Sequence, residues 1–164
     1  MELKRFLTIA LRALLLFSST VVLALSVATT NFLAKYTEAG YDLPVSPVQY
    51  RFAIFAGGCG IIDAVLGLVA EFVPAIPWLA VLVVDGLTGV FFLSGGVKLV
   101  SMDEVRKYGG CGKEYWHEDQ AVSFCKETKS DVAFMFLCLV VVVAVVGLGF
   151  FRRRAKTASA SGGV

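Results

Sequence analysis

Four long apolar runs, at residues 6–33, 52–73, 76–100 and 132–151, set the pattern of the chain. A helix needs roughly 20 apolar residues to cross a hydrocarbon core ~30 Å thick, and each run meets that length. Arg12 interrupts the first run, Asp63 and Asp85 sit well inside the second and third, and the fourth carries no charge. The Val140–Val143 stretch would favour a strand in water. A lone strand in lipid leaves its backbone unpaired, so a helix is predicted there too. The continuous runs lack the alternation of barrel strands. The predicted fold is all-α: an integral membrane bundle of four helices over residues 1–151, followed by a tail at residues 152–164.

Composition narrows the picture further. Of 164 residues, 57% are hydrophobic and 17% charged, with a mean hydropathy of +0.78. A soluble core this small cannot hide so much apolar surface, and disordered chains are poor in aliphatic residues. A net charge of +2 with no internal basic stripe argues against nucleic acid as a partner.

Basic residues near the span ends set orientation. Lys4, Arg5 and Arg12 lie at one end of the chain, and Arg152, Arg153, Arg154 and Lys156 at the other. The bases between spans three and four are interleaved with acids, from Asp103 to Asp131. An even number of spans puts both termini on one side, expected to be cytosolic, with the turn at residues 73–76 inside and two larger loops outside. A competing reading makes the first run a cleaved signal peptide, with Ser26-Val27-Ala28 as the processing site. Arg12 within the run, and its continuation past that site, favour a retained span.

Cys111 and Cys125 flank a polar segment of the second outer loop, and a disulfide is the expected pairing in an oxidising compartment. Metal binding by Cys111, His117 and Cys125 does not match structural zinc spacing. No metal site and no cofactor are expected. Tyr115, Trp116 and Phe124 suit either the headgroup layer or a self-packed cap.

The intramembrane acids carry most of the information. Asp63 and Asp85 each lie eleven residues from Pro74 at the predicted turn, which in an antiparallel hairpin means equal depth, about 15 Å in. Ala56, Gly60, Asp63, Gly67 and Ala70 form one seam of the second helix, and Asp85, Gly89 and Gly96 share a face of the third. Small residues at this spacing allow close helix approach in lipid. Three readings stand for the acids: hydrogen-bonded glue between helices, an ion pair with Arg12 at about 10 Å depth, or a proton or cation site. In a rival reading, Arg12 snorkels to the cytosol. Phosphate loops, nucleophile elbows and zinc-protease motifs are missing, so no enzyme is expected.

Several residues resemble the fungal branch of the MARVEL-domain family, the four-span proteins named for non-classical export. Tyr50 and Phe52 open the second span, Asp63 and Gly67 follow, and Phe72, Ala75 and the Pro77/Trp78 pair mark the turn. Leu82–Asp85, Phe91–Gly95 and the outer cysteines Cys111 and Cys125 continue the match, although the family tends to have Trp before Pro where Pro77 precedes Trp78. Claudin and tetraspanin cysteine signatures are missing. The resemblance implies a plasma-membrane protein that organises microdomains, in fungi the furrow-like eisosomes linked to sphingolipid and sterol, and that serves trafficking. Its implied partners are membrane lipids, further copies of itself or other membrane proteins. The alternatives are a small proton- or cation-coupled transporter or channel subunit using Asp63 and Asp85, or an accessory subunit of a larger complex. In the tail, Arg152, Arg153, Arg154 and Lys156 are expected to contact anionic lipid, about 1 kcal/mol each. Phosphorylation at Thr157 or Ser159 would weaken that contact.

Overall fold

A computed structural model describes residues 2–38, 47–73, 77–100 and 119–161, with side chains described at 5–35, 48, 50–73, 77–100 and 125–151. It contains four helices: α1 (Glu2–Glu38), α2 (Pro47–Phe72), α3 (Trp78–Val100) and α4 (Asp119–Ser161). No strand occurs among the described residues. Each helix contains a stretch long and apolar enough to cross a membrane: Arg5–Lys35, Tyr50–Phe72, Trp78–Val100 and Cys125–Phe151. The fold is the expected all-α tetraspan.

Prolines punctuate the elements where their missing N–H costs nothing. Pro47 opens α2, and Pro77 stands before Trp78, its carbonyl accepting from the Ala80 N–H at 2.9 Å. The helices are packed as a ring, α1 on α2, α2 on α3, α3 on α4 and α4 back on α1.

Each helix turns one stripe inward. On α1 the buried residues are Thr8, Arg12, Leu15, Ser19, Val22, Ser26, Thr29 and Leu33, stepping by four and three in alternation. Tyr50, Ala53, Ala56, Gly60, Asp63 and Gly67 follow steps of three and four on α2, and Asp85, Gly89, Phe92, Gly96 and Leu99 alternate four and three on α3. Thr128, Asp131, Met135, Cys138, Val142 and Val145 complete the set on α4. A 3.5-residue repeat keeps the contact seam facing the partner along the whole length of a helix.

Glycines set the closest approaches. A Cβ at Gly60 would collide with Ser19 and Phe92, and one at Gly67 with the Arg12 guanidinium. At Gly57 a Cβ would lie 3.1 Å from the Leu23 backbone, so α1 rests directly on the α2 backbone. Gly89 gives room to Val142, Gly95 to Met135 and Gly96 to Phe136, which is how α3 seats α4. At the other α2–α3 contact, Phe91 stacks edge-on against Phe55 (5.3 Å) and Phe52 (6.3 Å).

The polarity of the bundle is inverted relative to a soluble protein. Arg12, Ser18, Ser19, Ser26, Asp63, Asp85 and Asp131 are buried, while Phe17, Phe55, Ile62, Val83, Val90, Val140 and Val143 are exposed. In water so much exposed apolar area would be untenable on a monomer. In a bilayer it is the solvent-matched face.

One expectation changes here. Asp131 is no loop acid: α4 starts twelve residues before it, and its side chain is fully buried on the inward stripe. Helix α4 also continues through residues 152–161 as one piece with the fourth span. Residues 39–46, 74–76 and 101–118, including Cys111, Tyr115, Trp116 and His117, lie outside the described residues.

Candidate functional site

The site is assembled on three helices by the stripes just described. Arg12 is one and a half turns inside the apolar part of α1, Asp63 mid-way along α2, and Asp85 two turns into α3. Arg12 is 2% exposed, Asp63 0% and Asp85 3%. An arginine there must find acceptors or reach water, and here it reaches across the bundle axis. Its Nη2 donates to Asp85 Oδ2 at 2.7 Å and its Nη1 to Asp85 Oδ1 at 2.5 Å. Nη1 also donates to Asp63 Oδ1 at 3.3 Å. The fork on Asp85 is the bidentate geometry that suits a guanidinium. Arg12 does not snorkel: Gly67 lets its head lie flat against α2, where a β-carbon would displace it.

The three groups are unequal partners. Asp85 uses both oxygens on Arg12, whereas Asp63 uses one, and Asp63 Oδ2 is buried with no hydrogen-bond partner among the described residues. Arg12 Nε is likewise buried without one. The cluster holds two acids for a single base.

A cavity of about 290 Å³ leads to Arg12 and Asp85 of this triad from the end of the bundle that carries both termini, with Asp63 behind them. Its walls come from all four helices, with Thr8 and Arg12 facing Glu71, Trp78, Asp85 and Phe150. At its rim Arg5 donates to the Glu71 carbonyl (2.9 Å) and lies 5.6 Å from the centre of the Phe72 ring, tying α1 to the carbonyl end of α2.

A second polar layer lies toward the opposite end. Ser26 Oγ donates to Asp131 Oδ2 at 2.7 Å, and the Tyr50 hydroxyl pairs with Thr128 at 3.1 Å. Asp131 Oδ1 and Thr29 Oγ1 are buried without partners. Between the layers, the Cys138 thiol donates to Ser18 Oγ at 3.2 Å.

A family model of a membrane-associating domain, MARVEL, matches residues 5–148, a stretch that includes three spans, most of the fourth and both polar layers. The chain belongs to the MARVEL family. No match was found among curated proteins or solved structures.

Of the residues singled out from the sequence, the MARVEL bundle brings together Asp63, Asp85 and Arg12, with Gly60, Gly67 and Gly89 at helix contacts. Phe52 and Phe91, which carried part of the resemblance, touch each other. Cys125 is buried and is not among the free thiols, which are Cys59 and Cys138; its expected partner Cys111 lies outside the described residues. Arg152, Arg153, Arg154 and Lys156 fall on the last turns of α4, with side chains outside the described residues. The Ser26–Asp131 layer was missed, although Thr128, Asp131, Met135 and Cys138 already share one helical stripe in the sequence.

Proposed function

We propose that this MARVEL protein is a non-enzymatic organiser of plasma-membrane microdomains, of the sphingolipid- and sterol-dependent kind, with both termini cytosolic. It acts through lateral contact of its lipid-facing surface with lipids, with further copies of itself or with other membrane proteins. The observation that carries this reading is the inversion of polarity: the mid-span charges Arg12, Asp63 and Asp85 are paired inside the bundle, and the outward faces of the spans are apolar. Such a molecule offers the bilayer a shaped apolar surface. A disulfide between Cys111 and Cys125 belongs to the same reading, as does a basic tail at Arg152–Lys156 resting on anionic lipid.

The test is partitioning of the full chain in giant vesicles containing coexisting sterol- and sphingolipid-rich and fluid phases. Enrichment in the ordered phase or at its boundary is expected. Uniform mixing at every composition would remove the microdomain role. Terminal tags should be accessible from the cytosolic side only in cells, and exposure of either tag outside would reverse the orientation.

The cavity supports a second reading, a proton- or cation-coupled subunit, because it reaches Arg12 and Asp85. Proteoliposomes loaded with a pH-sensitive dye separate the two. The organiser reading expects no ion flux above that of empty vesicles; a sustained gradient-driven flux lost in Asp85→Asn would favour transport.

A further inference from the structure

We propose that the Arg12–Asp63–Asp85 triad is a dead-end site for one proton, held by the two carboxyls and reached only from the end of the bundle that carries the termini. The charge count motivates it. With both acids ionised, one guanidinium leaves the cluster with a net negative charge in a site where none of the three residues is more than 3% exposed. An uncompensated charge at that depth is costly. One bound proton balances the cluster.

Geometry says which acid takes it. Asp85 meets Arg12 through both oxygens, the arrangement of a carboxylate with a guanidinium. Asp63 makes one longer contact, at 3.3 Å, and leaves Oδ2 without a partner. A protonated Asp63 fits that lopsided pattern, since a neutral carboxyl keeps one good acceptor and loses little at the other oxygen. Among the described residues, Arg12 faces the pair from α1, Glu71 lines the cavity from α2 and Asp85 belongs to α3, while α4 lines it with Val145, Val146, Gly149 and Phe150.

Access is one-sided. The cavity joins Arg12 and Asp85 to the terminal end. Toward the other end, Leu15, Val22, Ala56, Phe92 and Cys138 are completely buried, and Gly60 is closed over by Ser19 and Phe92. A proton can therefore enter and leave by the same mouth, and the site reports the pH of one compartment without conducting to the other. This does not depend on the microdomain role, and it contradicts the transport reading.

The experiment uses the full chain in lipid nanodiscs and in oriented proteoliposomes. Near neutral pH, and in an Asp131→Asn background that removes the other fully buried acid, infrared spectra should show a protonated-carboxyl C=O band that shifts in heavy water and is lost when Asp63→Asn is added. Asp63→Asn, which imitates a neutral carboxyl, should also keep the melting temperature within a few degrees, whereas Asp85→Asn should lower it sharply. A band that survives in Asp63→Asn, or an Asp63→Asn protein that unfolds as readily as Asp85→Asn, would overturn the assignment. For access, Ala70→Cys in a chain carrying Cys59→Ser and Cys138→Ser should react with a membrane-impermeant thiol reagent from the terminal side, and Val22→Cys from neither side. Labelling of Val22→Cys from the opposite side would show a through-path and sink the dead-end claim.

Discussion

Arg12 is the residue on which the interior depends. It joins three helices through contacts to two acids, and its head is pinned at both nitrogens of the fork. Removing one partner of a buried ion pair leaves a stranded charge, which costs about 3–5 kcal/mol. Arg12→Ala should therefore lower bundle stability by about that amount, and Arg12→Lys should recover only part, because an ammonium cannot fork. Thermal unfolding in detergent or bicelles checks both. Glycine positions give a sharper contrast. Gly67→Ala drives a methyl into a guanidinium that must give up its contacts with the carboxylates to move aside, and a loss of about 1–3 kcal/mol is expected. A Cβ at Gly58 would meet nothing within 4 Å among the described residues, so Gly58→Ala should be neutral or stabilising by up to about 1 kcal/mol. If the two alanines behaved alike, the close approach of α1 to α2 would not be what selects glycine at position 67.

At the scale of the helices, the repeat of alternating three- and four-residue steps explains both what the sequence revealed and what it concealed. The α2 seam from Ala56 to Gly67 was legible because small residues and an acid recur at helical spacing within an apolar run. Equal distance of Asp63 and Asp85 from Pro74 placed them in one layer, and Arg12 now joins them there. Asp131 was concealed by its neighbours: Lys126, Glu127 and Lys129 beside it look like loop, and only the continuation of the Met135–Cys138 stripe betrays an inward position. The hydroxyls of α1 were hidden differently. Ser and Thr cost little in a membrane helix, so nothing in composition marks Ser26 as the partner of an acid on α4 one hundred and five residues away. Ser26→Ala should destabilise the α1–α4 contact by about 1–3 kcal/mol, the cost of stranding a buried acceptor. Faster hydrogen exchange around residues 125–135 than in the α2–α3 hairpin would be its signature.

On the scale of the whole molecule, membership in the MARVEL family and the inside-out distribution of polarity describe one design. Four amphipathic stripes converge on an axis of charge and hydroxyls, and the remaining faces are left to lipid. Val90 is 56% exposed on α3, and Val140 is 64% exposed on α4. A charge at either position has no interior partner to find. Val90→Arg should reduce insertion of the third span by an amount corresponding to about 2.5–3.5 kcal/mol, measured by glycosylation mapping. A charge network across the axis, rather than apolar packing alone, holds the first three spans in register. A double-mutant cycle of Arg12→Ala and Asp85→Ala, read by reversible unfolding of the full chain in bicelles, tests it most directly. The account predicts that the double variant is much less damaged than the sum of the single variants, with a coupling above about 2 kcal/mol. Strict additivity would mean that the two side chains do not act on each other, and would contradict it.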